Sequence, residues 1–284
     1  MIQKGYKNLV SINRACKLSR VSRSGYYKWL KRPINVDILK QKVKRIFDKS
    51  RKTYGTRRIK KQLETEGIVA SRQIIRRKMA EQGLVAKASR RTRATTNSNH
   101  DQPVAPNLIE QDFNAKYPNQ VWVMDITYLH TSEGWLYLAI VLDLCSRMIV
   151  GWSIRKRMTK ELVIEALETA IKKRKPLPGL ICHSDRGTQY CSHAYRNLLQ
   201  KYGFLCSMSR KGECKDNACA ETFFHSLKVE WIYGEPLKSR YQAKQEVREY
   251  IEVFYNRQRL HSKNGYLSPS DFERINQSIF LLSA

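Results

Sequence analysis

Apolar residues recur three or four positions apart through the first part of the chain, then at strand-like spacing, then at helical spacing again. Val10 to Leu18 carries an apolar stripe, and Ser19 to Val21 is a short break. Ser22 is placed to cap a second short helix through Trp29, which Pro33 closes off. Asp37 to about Ser50 follows as a helix with Ile38, Val43, Ile46 and Phe47 apolar. The stretch Tyr54-Gly55-Thr56-Arg57-Arg58-Ile59 leads into a helix to about Glu66, Gly67 turns the chain, and a further helix starts near Ser71. In that helix Ile74, Ile75 and Met79 can face the partner helix, while Arg72, Arg76 and either Lys78 or Arg77 face outward. From Lys87 to about Asn107 large apolar residues almost vanish among Arg, Ser, Thr, Asn and Pro, as expected of a flexible linker.

Beyond Tyr117 the runs Val121 to His130, Trp135 to Leu144 and Met148 to Ile154 read as strands. They are separated by turns short enough to force antiparallel hairpins. The middle run is apolar on both faces, as a covered central strand would be. A helix from Thr159 to about Lys173 is stopped by Pro176 and Pro178. There follow a strand from Leu180 to Ser184, a helix near Ser192 to Lys201, a strand from Phe204 to Ser207, and a helix from about Asn217 to Trp231. A long helix, about Arg240 to Arg259, and the segment Leu267 to Phe272 close the chain. Three antiparallel strands followed by alternating helix and strand give the ribonuclease-H-like order. The fold class expected is therefore α/β, a ribonuclease-H-like mixed five-stranded sheet flanked by helices, preceded by an all-helical region.

Charge changes how that helical region reads. The 284 residues hold 53 Lys and Arg against 25 Asp and Glu, a formal charge of +28; residues 1–99 carry 28 of the bases and five of the acids, a net of +23, which leaves +5 for the rest. Self-repulsion of that size is normally offset by a polyanion, and nucleic acid is the partner it suits. A helix that is apolar behind and cationic in front is built to enter a DNA groove, although a solvated cationic helix has the same pattern. The domains expected are a helix-turn-helix-like segment (1–33), a helical helix-turn-helix-like DNA-binding domain (34–86), a basic flexible linker (87–117), a catalytic core (118–276) and a carboxyl-terminal tail (277–284).

No apolar run approaches the roughly 20 residues needed to span a bilayer, and none near Met1 reads as a signal peptide, so a cytoplasmic, nucleoid-associated protein is expected. Seven cysteines without C-x-x-C spacing agree with a reducing compartment. Cys182, His183, Cys191 and His193 match no usual zinc spacing, and the first two would point to opposite faces of a strand.

Three acids stand out. Asp125 interrupts the first strand, and Asp185 lies where the fourth ends in a polar loop, with 59 residues between the two. Glu221, after another 35, falls with Asn217, His225 and Lys228 on the helix face opposite Ala220, Phe223, Phe224, Leu227 and Trp231. In a ribonuclease-H-like order the first and fourth strands end side by side and the helix after the fifth crosses near them. Carboxylates so gathered repel one another unless a divalent cation lies between them. Hard oxygen ligands suit Mg2+ or Mn2+, and a pair of ions about 4 Å apart can activate the attacking oxygen and stabilise the leaving oxygen of a phosphodiester. Lys228, two helical turns past Glu221, is placed to meet a phosphate, and Arg210, Lys211 and Lys215 to guide a strand inward. Asp143 is either a fourth acid or, before a tight turn containing Arg147, a turn cap or ion pair.

Several stretches resemble a known family. These are Val121 to Tyr128, Asp143 to Arg147, His183-Ser184-Asp185-Arg186-Gly187-Thr188-Gln189-Tyr190, Ser207 to Gly212, Asp216-Asn217-Ala218-Cys219-Ala220-Glu221 and Tyr255-Asn256-Arg257-Gln258-Arg259-Leu260-His261. Together they resemble the second-reading-frame (OrfB) transposase subunit of the IS-three group of bacterial insertion sequences, whose core is similar to retroviral integrase. Tyr54 to Ile59 and Val21 to Tyr27 resemble its amino-terminal region, so the likeness spans nearly the whole chain.

The resemblance implies that Asp125, Asp185 and Glu221 form a DDE triad and that Lys228 and Asn217 touch DNA beside the reacting phosphate. It further implies that one strand is cut at each end of the element and that the freed 3' hydroxyl attacks a second phosphodiester. Partners expected are double-stranded DNA, further copies of the chain and the first-frame (OrfA) protein, to which this subunit is often fused by frameshifting. The amino-terminal zinc site of retroviral integrases is not expected, since the first histidine is His100 and only Cys16 lies upstream of it. Two other readings fit the residues: a catalytically silent DNA-binding regulator of transposition, and a ribonuclease-H-like nuclease acting on hybrids.

Overall fold

The computed structural model describes residues 12–30, 37–87, 104–210, 213–232 and 238–282. Two short helices come first, α1 (Ile12–Leu18) and α2 (Arg23–Leu30), with Cys16 buried between them and the start of the expected stripe, Val10, outside the described residues. The helical unit proper comprises α3 (Ile38–Lys49), α4 (Thr56–Thr65) and α5 (Arg72–Ala80). Asp37 caps α3 by accepting the Lys40 N–H (2.9 Å), and Ser71 caps α5 by accepting that of Ile74 (3.2 Å). Val43, Ile46, Phe47, Ile59, Leu63, Ile75 and Met79 form their common core.

Two details of α5 differ from expectation. Ile74 lies on the surface, because its neighbour Ile75, about 100° round the helix, takes the buried place. Lys78 turns back to pair with Asp37 (2.6 Å) and Glu81 (3.1 Å), which leaves Arg72, Arg76 and Arg77 as the exposed cations, Arg77 lying 3.8 Å from Glu81.

The sheet has β1 (Val121–Thr131), β2 (Gly134–Asp143), β3 (Ile149–Arg155), β4 (Ile181–Ser184) and β5 (Leu205–Met208), in the order β3-β2-β1-β4-β5. The first three strands pair antiparallel, whereas β4 is parallel to both β1 and β5. This is the mixed, helix-flanked sheet expected. The central β2 is covered twice, which explains its unbroken apolar run. Ala139 and Val141 face α6 (Lys160–Arg174), with α7 (Thr188–Cys191) and α8 (His193–Lys201) in the same layer. Leu138, Ile140 and Leu142 face α9 (Ala218–Leu227) and α10 (Arg240–Glu249), which continues as a π-helical segment over Tyr250–Tyr255. Among the described residues no helix is long and apolar enough to cross a membrane.

The layer of α6 lies very close to β3. A Cβ on Gly151 would overlap the Ala166 carbonyl oxygen and stand 2.7 Å from the Ala170 Cβ. Gly151→Ala is therefore expected to lower the urea midpoint, at a cost of about 1–3 kcal/mol or more for prying the helix off the strand.

Two boundaries fall elsewhere than expected. The segment taken as linker up to 117 is bound to the core from Pro106 onward. The Pro106 carbonyl accepts the Met208 N–H (3.2 Å), Ser207 Oγ accepts that of Leu108 (2.9 Å), and Ile109 is buried under the sheet. Backbone and hydroxyl hydrogen bonds with a single buried isoleucine do this tethering, so a scarcity of apolar residues did not signal detachment. At the other end the tail begins inside a helix, since α11 runs Pro269–Leu282.

Candidate active site

Asp125 and Asp185 are brought together by strand register. The parallel ladder of β1 and β4 pairs Val121 with Ile181, Trp122 with Cys182 and Val123 with His183. Two residues further along each strand the same register sets Asp125 opposite Asp185, just past the last rung. Side-chain alternation puts Asp125 on the face of Val121 and Val123, beneath α9. The Ile126 N–H donates to Asp125 Oδ1 (2.7 Å) and the Gly187 N–H to Asp185 Oδ1 (3.0 Å). A Cβ on Gly187 would stand 3.1 Å from the same oxygen, so any larger residue there would push the carboxylate by a few tenths of an ångström.

Burial, with the charges of Asp185 and Glu221 added, pushes the Asp125 carboxyl well above the ordinary range; the Ile126 N–H and Lys228 pull the other way. Glu221 rises for the same two reasons, burial and then Asp185. Asp125 and Asp185 are half-buried, whereas Glu221 is exposed on the facing helix. The acids therefore meet as a strand-end pair with a third carboxylate opposite them. Among the described residues no three His, Cys, Asp or Glu side chains close into a metal cage.

Lys228 ends α9 on the same side. Burial lowers its pKa and the charge of Asp125 raises it, and its Nζ lies 4.8 Å from the Tyr128 ring centroid. Asn217, expected to touch DNA, is instead buried, and its Nδ2 donates to the Met124 carbonyl (3.2 Å), pinning the start of α9 to β1 one residue before Asp125. Its Oδ1 is buried without a hydrogen-bond partner. Tyr190 escaped sequence reasoning as a site residue although it lay within a quoted motif. It is buried, its ring meets Tyr195 edge-on at 5.4 Å, and its hydroxyl has no hydrogen-bond partner. Burial first, then the charges of Asp125 and Asp185, push its phenol well above the usual range. Its signal was its place five residues after Asp185, where a one-turn helix folds back.

Other candidates have different work. Arg210 binds Asp216 (Nε to Oδ2, 3.3 Å), and Asn107 and Gln111 donate to the same carboxylate at 3.0 and 2.9 Å. Burial works to raise Asp216, but Arg210 and Gln111 outweigh it and hold the carboxyl at about 2. This knot secures the loop before α9. Lys211 lies outside the described residues, as does the side chain of Lys215. Asp143 is a turn cap. Fully buried, it accepts the N–H groups of Asn119 (2.7 Å), Cys145 (3.0 Å) and Ser146 (3.2 Å). His183 bonds Ser207 Oγ (2.8 Å) and Ser209 Oγ (3.2 Å), and burial drops its pKa to about 4, so it joins β4 to β5 as a neutral ring.

Comparison with known proteins agrees with this arrangement. Residues 115–214 match one integrase core domain family, residues 221–278 a second family of that description, and residues 35–92 an HTH-like domain family. The chain is 47% identical over 262 residues to the insertion element IS600 uncharacterized 31 kDa protein of Shigella sonnei, covering 90% of this chain and 96% of that one. It is 45% identical over 273 residues to the transposase InsF for insertion sequence IS3A of Escherichia coli K12, covering 94% and 95%. Among solved structures, a simian T-cell lymphotropic virus intasome in complex with PP2A regulatory subunit B56 gamma covers 75% of this chain and 69% of its own, with a TM-score of 0.47 and 15% identity. Near-half identity to an insertion-sequence transposase from end to end, with an integrase core behind an HTH-like unit, shows that this chain belongs to the IS3 family of DDE-type transposases.

Proposed function

We propose that Asp125, Asp185 and Glu221 are the DDE triad and that they hold a pair of divalent cations, Mg2+ or Mn2+. The observation that carries this is the mutual charge of acids from two adjacent strand ends and a facing helix, which burial makes costly to ionise without a cation. The donor set is all hard oxygen, and the orphaned Asn217 Oδ1 and Tyr190 hydroxyl offer further oxygens nearby. Bound there, the cations supply activation of the attacking oxygen and stabilisation of the leaving one. Asp125 and Asp185 are the fixed part of the site because main-chain N–H groups hold one oxygen of each; Glu221 completes it. Lys228 offers a cation to the phosphate beside Asp125.

The reaction this supports is cleavage of one strand at each element end by water, followed by attack of the freed 3' hydroxyl on a second phosphodiester. Arg72, Arg76 and Arg77 on the outer side of α5 contact the duplex, as do Arg210 and Lys211. The terminal repeats and the target are the DNA partners, at least two copies of the chain hold the two ends together, and the OrfA protein is a further partner.

Incubating the protein with DNA from the flanks of its coding region and Mg2+, then mapping nicks and joints, tests the reading; no nick at either flank would overturn it. The metal is tested separately. Mg2+ at about 100 times its dissociation constant is expected to stabilise the wild type by about 2.7 kcal/mol, read as a rise in melting temperature. Glu221→Gln should lose most of that rise, and an equal rise in both would sink the assignment.

A further inference from the structure

The two stretches that the site leaves unused, Tyr54 to Ile59 and Tyr255 to His261, meet each other. Tyr54 is buried, and its hydroxyl donates to the Gln258 carbonyl (3.2 Å) and accepts the Leu260 N–H (2.8 Å). Leu260 in turn packs against the core of the helical unit. Behind them lies the buried carboxylate of Glu230. Arg259 grips it through Nε (3.0 and 2.8 Å) and Nη2 (2.6 Å), and the Tyr250 hydroxyl donates to it at 2.9 Å. Arg58, from the helical unit, brings Nη1 to 3.8 Å from the same carboxylate, and Lys87 donates to the Glu230 carbonyl oxygen (3.2 Å). Arg51 lies over the Trp231 ring at 3.8 Å and pairs with Glu249 at 2.6 Å. The HTH-like unit is thus fastened to the turn that continues α9, two residues past Lys228 and nine past Glu221.

We infer that this joint, centred on Glu230, is a positioning device: it fixes how far the groove-facing side of α5 stands from the acids and so which phosphate beyond the bound sequence is cut. The inference rests on the function proposed above. Its physical ground is the kind of contact involved. The Arg259 fork holds the Glu230 carboxylate still within the core, and the hydrogen bonds that cross to the helical unit, from the Tyr54 hydroxyl to the Gln258 carbonyl, from the Leu260 N–H to that hydroxyl and from Lys87 to the Glu230 carbonyl oxygen, are directional and admit one register. An oily contact of equal area would let the units slide. Glu230 is well suited to the task because residues 228–232 form a π-helical turn, whose wider circuit turns this carboxylate inward while leaving Lys228 beside Asp125.

The test maps nicks on an end-labelled duplex from the element flank with Mg2+. It compares the full-length wild type with Tyr54→Phe, Arg58→Met and the double variant, and measures end binding and melting temperature alongside. Cutting at the wild-type phosphate is expected to fall by about a hundredfold in the double variant, the loss that roughly 1 Å of misplacement produces. Nicks should appear at neighbouring phosphates while end binding is retained, and Arg58→Lys, which keeps the charge, should restore the single sharp nick. A residue that served stability alone would lower melting temperature and total cutting without spreading the nicks. A single sharp nick from both one-residue variants, at an undiminished or increased rate, overturns the inference, and those two variants decide it should the double one not fold. An uncut wild type overturns the proposed function and this inference with it.

Discussion

Glu221→Gln is expected to reduce both strand nicking and strand transfer by at least about a thousandfold, roughly 4 kcal/mol of transition-state stabilisation. The substitution keeps the shape of the side chain and removes its charge, so the loss falls on cation binding. Binding of element ends should change little, because the exposed Arg72, Arg76 and Arg77 sit on a different unit. A second effect has the opposite sign. Burial and Asp185 raise the folded-state pKa of Glu221 above its unfolded value. The stability this group contributes is present at low pH and is lost as pH rises through the raised pKa, so near neutrality the ionised form is a burden. Without added metal, Glu221→Gln should therefore melt at a higher temperature than the wild type at pH 7, and the gap should close on acidification. A variant that still joined DNA ends would remove Glu221 from the triad.

Arg259→Ala is expected to cost about 3–5 kcal/mol, because it strands the buried Glu230 carboxylate without its principal partner. Burial works against the charge of Arg259, yet Glu230 beside it wins and raises its pKa above the ordinary value, so the two charges sustain each other. Folded domains have roughly 5–15 kcal/mol to lose, so the urea midpoint should fall by a large fraction. Replacing both partners, Arg259→Met with Glu230→Leu, should recover most of the loss, since no buried carboxylate is then stranded and the partly exposed Arg58 still reaches water. Were the double variant as unstable as the single one, packing around Arg259 would be the cause. Recovered stability together with scattered nicks would separate holding the fold from setting the cut.

How far the sequence could be read depended on whether a residue's role was local. Asp125 and Asp185 were legible because each ends or breaks an apolar strand, and strand order then dictated that they meet. The capping of α3 by Asp37 and of α5 by Ser71 was equally local. Glu221 was found by helical periodicity, which also placed Trp231 rightly on the apolar side, packed against the same core as Phe223 and Leu227. The same periodicity had no place for the buried Glu230, because a wheel drawn at constant pitch cannot foresee the π-helical turn at 228–232. Asn217 was read by resemblance as a DNA contact, whereas its bond to the Met124 carbonyl depends on a partner 93 residues away. The pairing of Glu230 with Arg259 and the gathering of Asn107, Gln111 and Arg210 on Asp216 are of the same kind. Nothing in the run of the chain marks such residues out among so many charges, and only the closed fold selects them.

The helices that roof one side of the sheet all come from the last quarter of the chain. A ribosome therefore delivers Asp125 and Asp185 well before the helices that shelter Val123, Leu138, Ile140 and Leu142. A half-made chain has two of its three acids on a bare, greasy platform, a surface prone to clump or to be seized by chaperones. Cover for that face and the third acid, Glu221, thus arrive together and late in synthesis.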